Sequence, residues 1–256
     1  MNATPDTTLP RERQQLILDR LHRDGKVVAA DLAQEFRVSE DSIRRDLRDL
    51  ASQGLCRRVY GGALLTQAIA PLDQRHHERA ELKRTLAHVA ASLVGEGQIL
   101  FVDAGSSNTA LARALPEHRD LTVVTNAPDV ALAVIGRPGF EVILLGGRVD
   151  PRIGGAIGSR TVRQAQDIRA DLCFPGVCAI DPERGLWTYD EEETVFKQAI
   201  IEASGETVAI ATPDKLVASA THHTAPIGAI SHLVVSAGTD QLVVARYRAS
   251  GVLVTM

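Results

Sequence analysis

The sequence predicts an α/β protein preceded by a small three-helix unit, and three observations carry that reading. Three short segments with helical apolar spacing, closed by a glycine-centred hairpin pattern, fill residues 1–66. From residue 80 to 256, apolar runs too short for helices alternate with helical stretches, the mark of a largely parallel sheet. The length of 256 residues allows between one and two domains at roughly 150 residues each. The expected boundaries are 1–66 for the helical unit, 67–79 for a linker and 80–256 for the α/β unit.

The first helix begins at Pro10, tolerated in a first turn, carries Ile17, Leu18 and Leu21 on one face and stops before Gly25. The second runs through Leu32, Ala33 and Phe36, and its start lacks a good cap, because Val28 and Ala29 stand where Ser, Thr or Asp is preferred. Ser39 is the N-cap of the third, followed by Glu40 and Asp41, acids suited to the positive end of a helix. At about 100° per residue, Ile43, Leu47 and Leu50 share one narrow face, Arg45 and Arg48 point nearly opposite, and Ser42 and Arg44 lie at the flanks. Gly54 ends this helix, and residues 55–65 read as a hairpin turning at Gly61 and Gly62. Three helices and a small hairpin describe a winged helix-turn-helix.

The segment 67–79, with Pro71 and several charges, connects the units. A helix rich in Ala and Leu (81–94) then leads to Ile99-Leu100-Phe101-Val102, a run suited to a strand buried on both faces. Similar runs recur at 121–124, 142–145, 207–211, 232–236 and 252–254, with helical stretches at 106–115, 128–135, 161–170 and 192–203.

Composition narrows the function classes. With 45% hydrophobic and 23% charged residues, 20 Gly and 11 Pro, the chain is not disordered, collagenous or coiled coil. No stretch approaches the ~20 apolar residues of a membrane span. Met1 to Pro10 is polar and lacks a signal pattern, so the expected location is the cytoplasm. Cys56, Cys173 and Cys178 form no C-x-x-C spacing and read as free thiols. His76-His77 and His222-His223 are adjacent pairs whose side chains diverge, so neither a metal nor a cofactor is expected. The net charge of −4 is an average. Residues 1–66 hold 11 basic and 10 acidic residues, and the window from Arg37 to Arg58 holds six arginines against four acids.

That window is the first candidate site. An arginine face is often only solvated, but here it lies opposite the apolar stripe, on the third helix of a helix-turn-helix, with Arg57 and Arg58 following in the hairpin. Such a helix enters the major groove with its N-terminal residues near base edges. Arg44 and Arg45 suit bidentate pairing with guanine, while Ser42, Arg48, Arg57 and Arg58 suit phosphates, and Ser39 completes the set at the helix start.

The second candidate site is a device repeated three times, an apolar strand ending in a small polar loop. Asp103-Ala104-Gly105-Ser106-Ser107-Asn108 opens a helix, so free N–H groups and two hydroxyls converge where a phosphate or sugar oxygen fits. Thr125-Asn126 and Gly146-Gly147-Arg148 follow the next two strands. Ligands in open α/β sheets bind outside the carboxyl ends of strands, where all three loops are expected. Lys197 and Lys215 are candidates to supply positive charge to the same mouth, with solvated surface as the alternative for each. No G-x-S-x-G, Walker or H-E-x-x-H pattern occurs.

The run Val38-Ser39-Glu40-Asp41-Ser42-Ile43-Arg44-Arg45-Asp46-Leu47, followed by Gln53-Gly54-Leu55 and Arg57-Arg58-Val59-Tyr60-Gly61-Gly62-Ala63, resembles the DNA-binding signature of the DeoR family of bacterial transcriptional regulators. The resemblance continues through Asp103-Ala104-Gly105-Ser106, Val124-Thr125-Asn126, Leu144-Leu145-Gly146-Gly147 and Glu193 to Lys197. It implies a C-terminal domain related to ribose-5-phosphate isomerase and glucosamine-phosphate deaminase that senses a phosphorylated sugar. It also implies repression of a carbohydrate-use operon by a homo-oligomer, a dimer or tetramer, bound to double-stranded operator DNA. The chain departs from the family pattern at Arg37 (often Gly), Tyr60 (often His), Asn108 (often a hydroxyl residue), Cys178-Ala179 (often polar-Gly) and Thr212 (often Asp). The expected protein is not an enzyme. The alternative is a sugar-phosphate isomerase or deaminase with an accessory helical arm, for which Asp103 or Glu193 is the nominated base.

Overall fold

The computed structural model describes residues 10–24, 26–52, 55–65 and 72–256. The chain divides into two compact units, Met1–Ala68 and Ile69–Met256.

In the first unit, α1 (Pro10–Asp24) is followed by β1 (Lys26–Val28), α2 (Ala29–Glu35), α3 (Glu40–Ser52), β2 (Cys56–Val59) and β3 (Gly62–Leu65). The apolar faces read from the sequence meet in one core, Ile17 and Leu21 of α1 packing with Leu32 and Ala33 of α2 and Ile43, Leu47 and Leu50 of α3. Burial of each large side chain contributes roughly 1.5–3 kcal/mol. The Ser39 hydroxyl accepts from the Ser42 N–H at 3.2 Å, capping α3. Between α2 and α3 the chain turns by a Schellman stop, in which Val38 N–H reaches the Ala33 carbonyl and Arg37 N–H the Gln34 carbonyl. Arg37 sits at φ 53°, the left-handed region that glycine occupies without strain. Gly25 and Gly54, read as helix stops, lie outside the described residues.

Two details differ from the sequence reading. Lys26–Val28 is a third strand of the wing, antiparallel to β3 in the order β1-β3-β2; three residues are too few to show a period. The hairpin turns at Tyr60-Gly61, not at Gly61-Gly62: Gly61 has φ 82°, whereas Gly62 pairs with Val59 and Val28. A Cβ at Gly62 would collide with the Val27 carbonyl. The uncapped start of α2 is satisfied by the same turn, since Ala29 N–H donates to the Gly61 carbonyl at 2.8 Å.

The second unit begins with α4 (Leu72–His77) and α5 (Ala80–Ala91). α4 lies in the stretch read as linker; it is short and buries nothing fully, so no apolar period marks it. Next come β4 (Ile99–Val102), α6 (Ser106–Ala114), β5 (Leu121–Thr125), α7 (Pro128–Val134), β6 (Phe140–Leu144), β7 (Arg148–Asp150), β8 (Gly155–Ile157) and α8 (Ser159–Gln166). They are followed by β9 (Ala170–Phe174), β10 (Ala179–Asp181), β11 (Gly185–Thr188), α9 (Glu191–Glu202) and β12 (Ser204–Ile210). The chain ends with β13 (His222–Ala225), β14 (His232–Val234), α10 (Gln241–Ala249) and β15 (Leu253–Thr255).

Seven strands form a sheet in the order β15-β14-β12-β9-β4-β5-β6, with every pairing parallel. Alternation along β4 shows why its run is continuous: Leu100 and Val102 face the helices α5, α6 and α7, and Phe101 faces α8 and α9. The central strand, β9, is missing from the sequence reading, which extends a helix to residue 170 instead. Its apolar run is interrupted by Asp171, whose carboxylate accepts from Ile99 N–H at 2.7 Å. β10, β11 and β13 form a small antiparallel sheet packed with α10, where the Tyr247 hydroxyl donates to the Ile180 carbonyl at 2.8 Å. From β4 the order runs one way through β5 and β6 and the other way through β9 and β12. The carboxyl ends of β4 and β9 thus mark the topological switch point, the place where ligands bind in open α/β sheets.

Candidate functional site

The first site is the outer face of α3. Its inner side is fixed by more than apolar contact: Arg13 Nε of α1 donates to the buried Asp46 at 2.6 Å, and Gln14 Nε2 reaches the other carboxylate oxygen at 3.3 Å. One of the four acids in the arginine window is thus neutralised inside the unit. Outside, Arg44 donates to Glu40 at 2.8 Å and Arg45 lies 3.7 Å from Asp41, both side chains more than half exposed. Such i,i+4 pairs weigh only ~0.3–0.5 kcal/mol, so they orient the guanidinium groups without sequestering them. Arg48 and Arg58 are exposed, and the Ser42 hydroxyl lies 3.0 Å from that of Ser39. The wing leans on α3 through Cys56, whose thiol donates to the Leu47 carbonyl at 3.5 Å. Burial, opposed by the charge of Arg58, raises the pKa of that thiol. Arg57 pairs with Leu64 through the backbone, and its side chain lies outside the described residues. Tyr60 stands fully exposed at the wing tip.

The second site lies at the switch point. Gly105, at φ 139°, precedes α6 without a side-chain cap over the helix N–H groups, and nothing lies within 4 Å of where its Cβ would be. Ser106 and Ser107 are the first helical residues, at the positive end of the helix dipole. Behind them is a buried charge cluster. Asp103 accepts from Ala104 N–H (2.7 Å), Gly176 N–H (2.8 Å) and Lys197 Nζ (2.6 Å), and Lys197 also donates to Glu193 Oε1 at 2.7 Å. Burial by itself pushes the Lys197 pKa down, but Asp103 and Glu193 reverse this and hold it well above the usual lysine value. Asn108 Nδ2 donates to the carbonyls of Asp103 (3.1 Å) and Phe174 (2.7 Å), clamping the ends of β4 and β9 together.

Arg75 lies close to Glu193 and Cys178, Lys215 lies close to Cys178, and Lys83 lies close to Arg75 and Lys215. Arg75 of α4 donates to the carbonyls of Arg152 (2.5 Å) and Ile153 (3.2 Å), and Lys83 of α5 donates to the Arg75 carbonyl. Burial pushes the Lys83 pKa down; Lys215 and Arg75 add to this as like charges, while Glu78 and Asp214 oppose it. Arg75 is likewise lowered by burial, with Cys178, Glu193 and Glu78 opposing. Burial, then Glu193, pushes the Cys178 thiol up to about 12, and the thiol lies 3.9 Å from Glu193 Oε1.

Residues 13–68 match the family model of the DeoR-like helix-turn-helix domain, and residues 78–237 match that of the DeoR C terminal sensor domain. The chain belongs to the DeoR family. DeoR-family relatives include the glycerol-3-phosphate regulon repressor of Escherichia coli (strain K12), 35% identical over 195 residues covering 75% of this chain and 77% of that protein. The HTH-type transcriptional repressor CsqR of the same strain is 31% identical over 222 residues, covering 86% and 84%. Among solved structures, a sor operon regulator from Shigella flexneri is similar with TM-score 0.45 and 12% identity, covering 65% of this chain and 89% of that one. Ribose 5 phosphate isomerase A from Neisseria gonorrhoeae gives TM-score 0.39 and 16% identity, covering 53% and 52%.

In this DeoR-family chain the structure brings Asp103, Gly105, Ser106, Ser107 and Asn108 together with Lys197 at the switch point. Lys197, read as a charge facing the mouth, is fully buried and neutralised. Several other candidates spend their polar groups on the backbone. Thr125 Oγ1 accepts from Ala127 N–H at 3.0 Å, and Asn126 Nδ2 donates to the Ala156 carbonyl at 3.0 Å. Gly146 is held through both its N–H and carbonyl by Gln164 of α8, and a Cβ on Gly147 would collide with Thr161. Arg148 is exposed and pairs with Glu192 at 3.0 Å. Lys215 lies 3.6 Å from Asp214, which also pairs with Arg79. Asp214 thus supplies a carboxylate near Thr212, where the family often has Asp. Arg75 and Lys83 are absent from the sequence-derived set, and Glu193 was named there only in the resemblance and as the base of the enzyme alternative, not among the effector-binding residues. The i,i+4 spacing of Glu193 and Lys197 was a usable signal for one; the other two sat beside no recognisable motif.

Proposed function

We propose that this chain is a repressor of a carbohydrate-use operon whose affinity for operator DNA is modulated by a phosphorylated sugar. α3 enters the major groove, Arg44 and Arg45 read guanine edges, and Ser42, Arg48, Arg57 and Arg58 hold phosphates with Ser39 capping the helix. Tyr60 at the wing tip adds a backbone contact. In the sensor unit the phosphate binds at Ser106 and Ser107, with the cations Arg75, Lys83 and Lys215 beside it. Ligand binding shifts the population between arrangements of different DNA affinity, in a cytoplasmic homo-oligomer.

The observation that carries the reading is one chain holding both an exposed arginine face opposite a buried apolar stripe and, at the switch point of a parallel sheet, a helix start without a side-chain cap that presents Ser106 and Ser107. The enzyme alternative is weakened at Asp103, whose two carboxylate oxygens already accept from three donors and are not available as a base. Gel-shift titration of DNA from upstream of the protein's own gene tests the proposal. The expected result is a specific complex whose affinity changes with one phosphorylated sugar and not with its unphosphorylated form. Indifference to every phosphosugar, or turnover of one at ordinary enzymatic rates, would overturn it.

A further inference from the structure

Among the described residues, two buried side-chain atoms have no hydrogen-bond partner, Asn126 Oδ1 and Glu193 Oε2. Buried polar atoms are nearly always paired, so each such atom calls for an explanation. Both are acceptors, and both flank the Asp103-Ala104 turn at the carboxyl end of β4. On the β5 side, a Cβ at Gly155 would lie 2.8 Å from both Asn126 Nδ2 and Ala104 Cβ. On the β9 side, a Cβ at Gly176 would lie 3.1 Å from both Asp103 Oδ2 and Lys197 Nζ, and Lys197 holds Glu193.

Glu193 is also diverted from the local role its position offers. Asp190 caps α9 by accepting from Glu193 N–H at 3.1 Å. In this D-x-x-E spacing the glutamate carboxylate ordinarily returns to the N-cap N–H. Here it turns to Lys197 instead, one oxygen on the ammonium and the other on nothing. Arg75 and Arg152 both feel its charge.

We propose that Glu193 and Asn126 are the hydroxyl-reading pair of the sensor site. Glu193 Oε2 and Asn126 Oδ1 each accept a hydrogen bond from a hydroxyl of a phosphorylated polyol or sugar. The proposal rests on the reading of the mouth as a phosphosugar site and adds its selectivity. A pair of orphan acceptors rejects a ligand that presents only anionic oxygens there, because oxygen would face oxygen, and favours one that presents donors. Glu193, as a charged acceptor, carries the larger share.

Calorimetric titration of the full-length protein with inorganic phosphate, propyl phosphate, glycerol 3-phosphate, D-fructose 1-phosphate and D-ribose 5-phosphate tests this. The best hydroxylated probe is expected to bind at least tenfold tighter than propyl phosphate. In Glu193→Gln, which keeps an oxygen for Lys197, that ratio is expected to fall about tenfold. An unchanged ratio in Glu193→Gln overturns the proposal. Should that variant not fold, equal affinity of propyl phosphate and every hydroxylated probe in the unaltered protein overturns it equally. Binding of none of the phosphorylated probes to the unaltered protein overturns the phosphosugar reading itself, a different outcome from binding without hydroxyl preference.

Discussion

Replacing Lys197 by Met tests the charge cluster that supports the sensor loop. Lys197 is wholly buried between Asp103 at 2.6 Å and Glu193 at 2.7 Å, and the substitution leaves two buried carboxylates without their cation. Breaking a buried pair from one side costs about 3–5 kcal/mol. Asp103 keeps the N–H groups of Ala104 and Gly176, so Glu193 is the carboxylate left to neutralise. In the variant its folded pKa rises above the unfolded value of roughly 4.3. A raised folded pKa favours the folded state below the unfolded pKa and loses that advantage as pH rises, so the variant's deficit is full at pH 7.5 and shrinks toward pH 5. In the unaltered protein, Lys197 is held above its ordinary value of about 10.4, and its contribution is constant below about pH 10. Histidines that titrate between pH 5 and 7.5 are common to both proteins, so the pH dependence of the difference between them reports the carboxylates. Urea unfolding followed through Trp187 on β11, the sole tryptophan, reads this directly. A deficit under about 1 kcal/mol, or one equal at both pH values, would refute the reasoning.

Three further outcomes concern the DNA-reading unit. Arg45→Ala should weaken operator binding by about 1–3 kcal/mol and relax base preference at one position, as read by competition with single-base operator variants. Arg58→Ala should lower affinity across sequences and flatten the dependence of log affinity on log salt by about 1; an unmoved slope would mean that this side chain touches no phosphate. Gly62→Ala should push a Cβ into the Val27 carbonyl and cost roughly 1–3 kcal/mol of stability. Thermal unfolding within 1 °C of the unaltered protein would show that β1 does not approach the wing so closely.

Helix-period apolar spacing placed Ile17, Leu21, Ile43, Leu47 and Leu50 correctly because those positions all face a single core. Continuous runs such as Ile99–Val102 were legible because both faces of that strand are buried. β9 was not, because the exposed Asp171 serves a neighbouring strand rather than its own burial. The glycines of the wing were recognisable, but which one turns and which one yields space depends on β1, a strand three residues long. At the sensor mouth, the loop 103–108 could be read from its own residues. Arg75 and Lys83 could not, since α4 and α5 carry no motif around them and the closeness of Arg75 to Glu193 of α9 is a property of the fold. Lys197 was visible as a lysine, but its neutralisation by Asp103, 94 positions away, is a property of the fold.

The central claim is that the loop opening α6 governs DNA affinity through a phosphorylated ligand. It is tested most directly by operator titration of the unaltered protein and of Ser106→Ala/Ser107→Ala, each with and without the phosphosugar that binds it. The unaltered protein should change operator affinity by about 5–150-fold on ligand binding, and the double variant should bind operator normally with no such change. A full ligand response in the double variant would contradict the account.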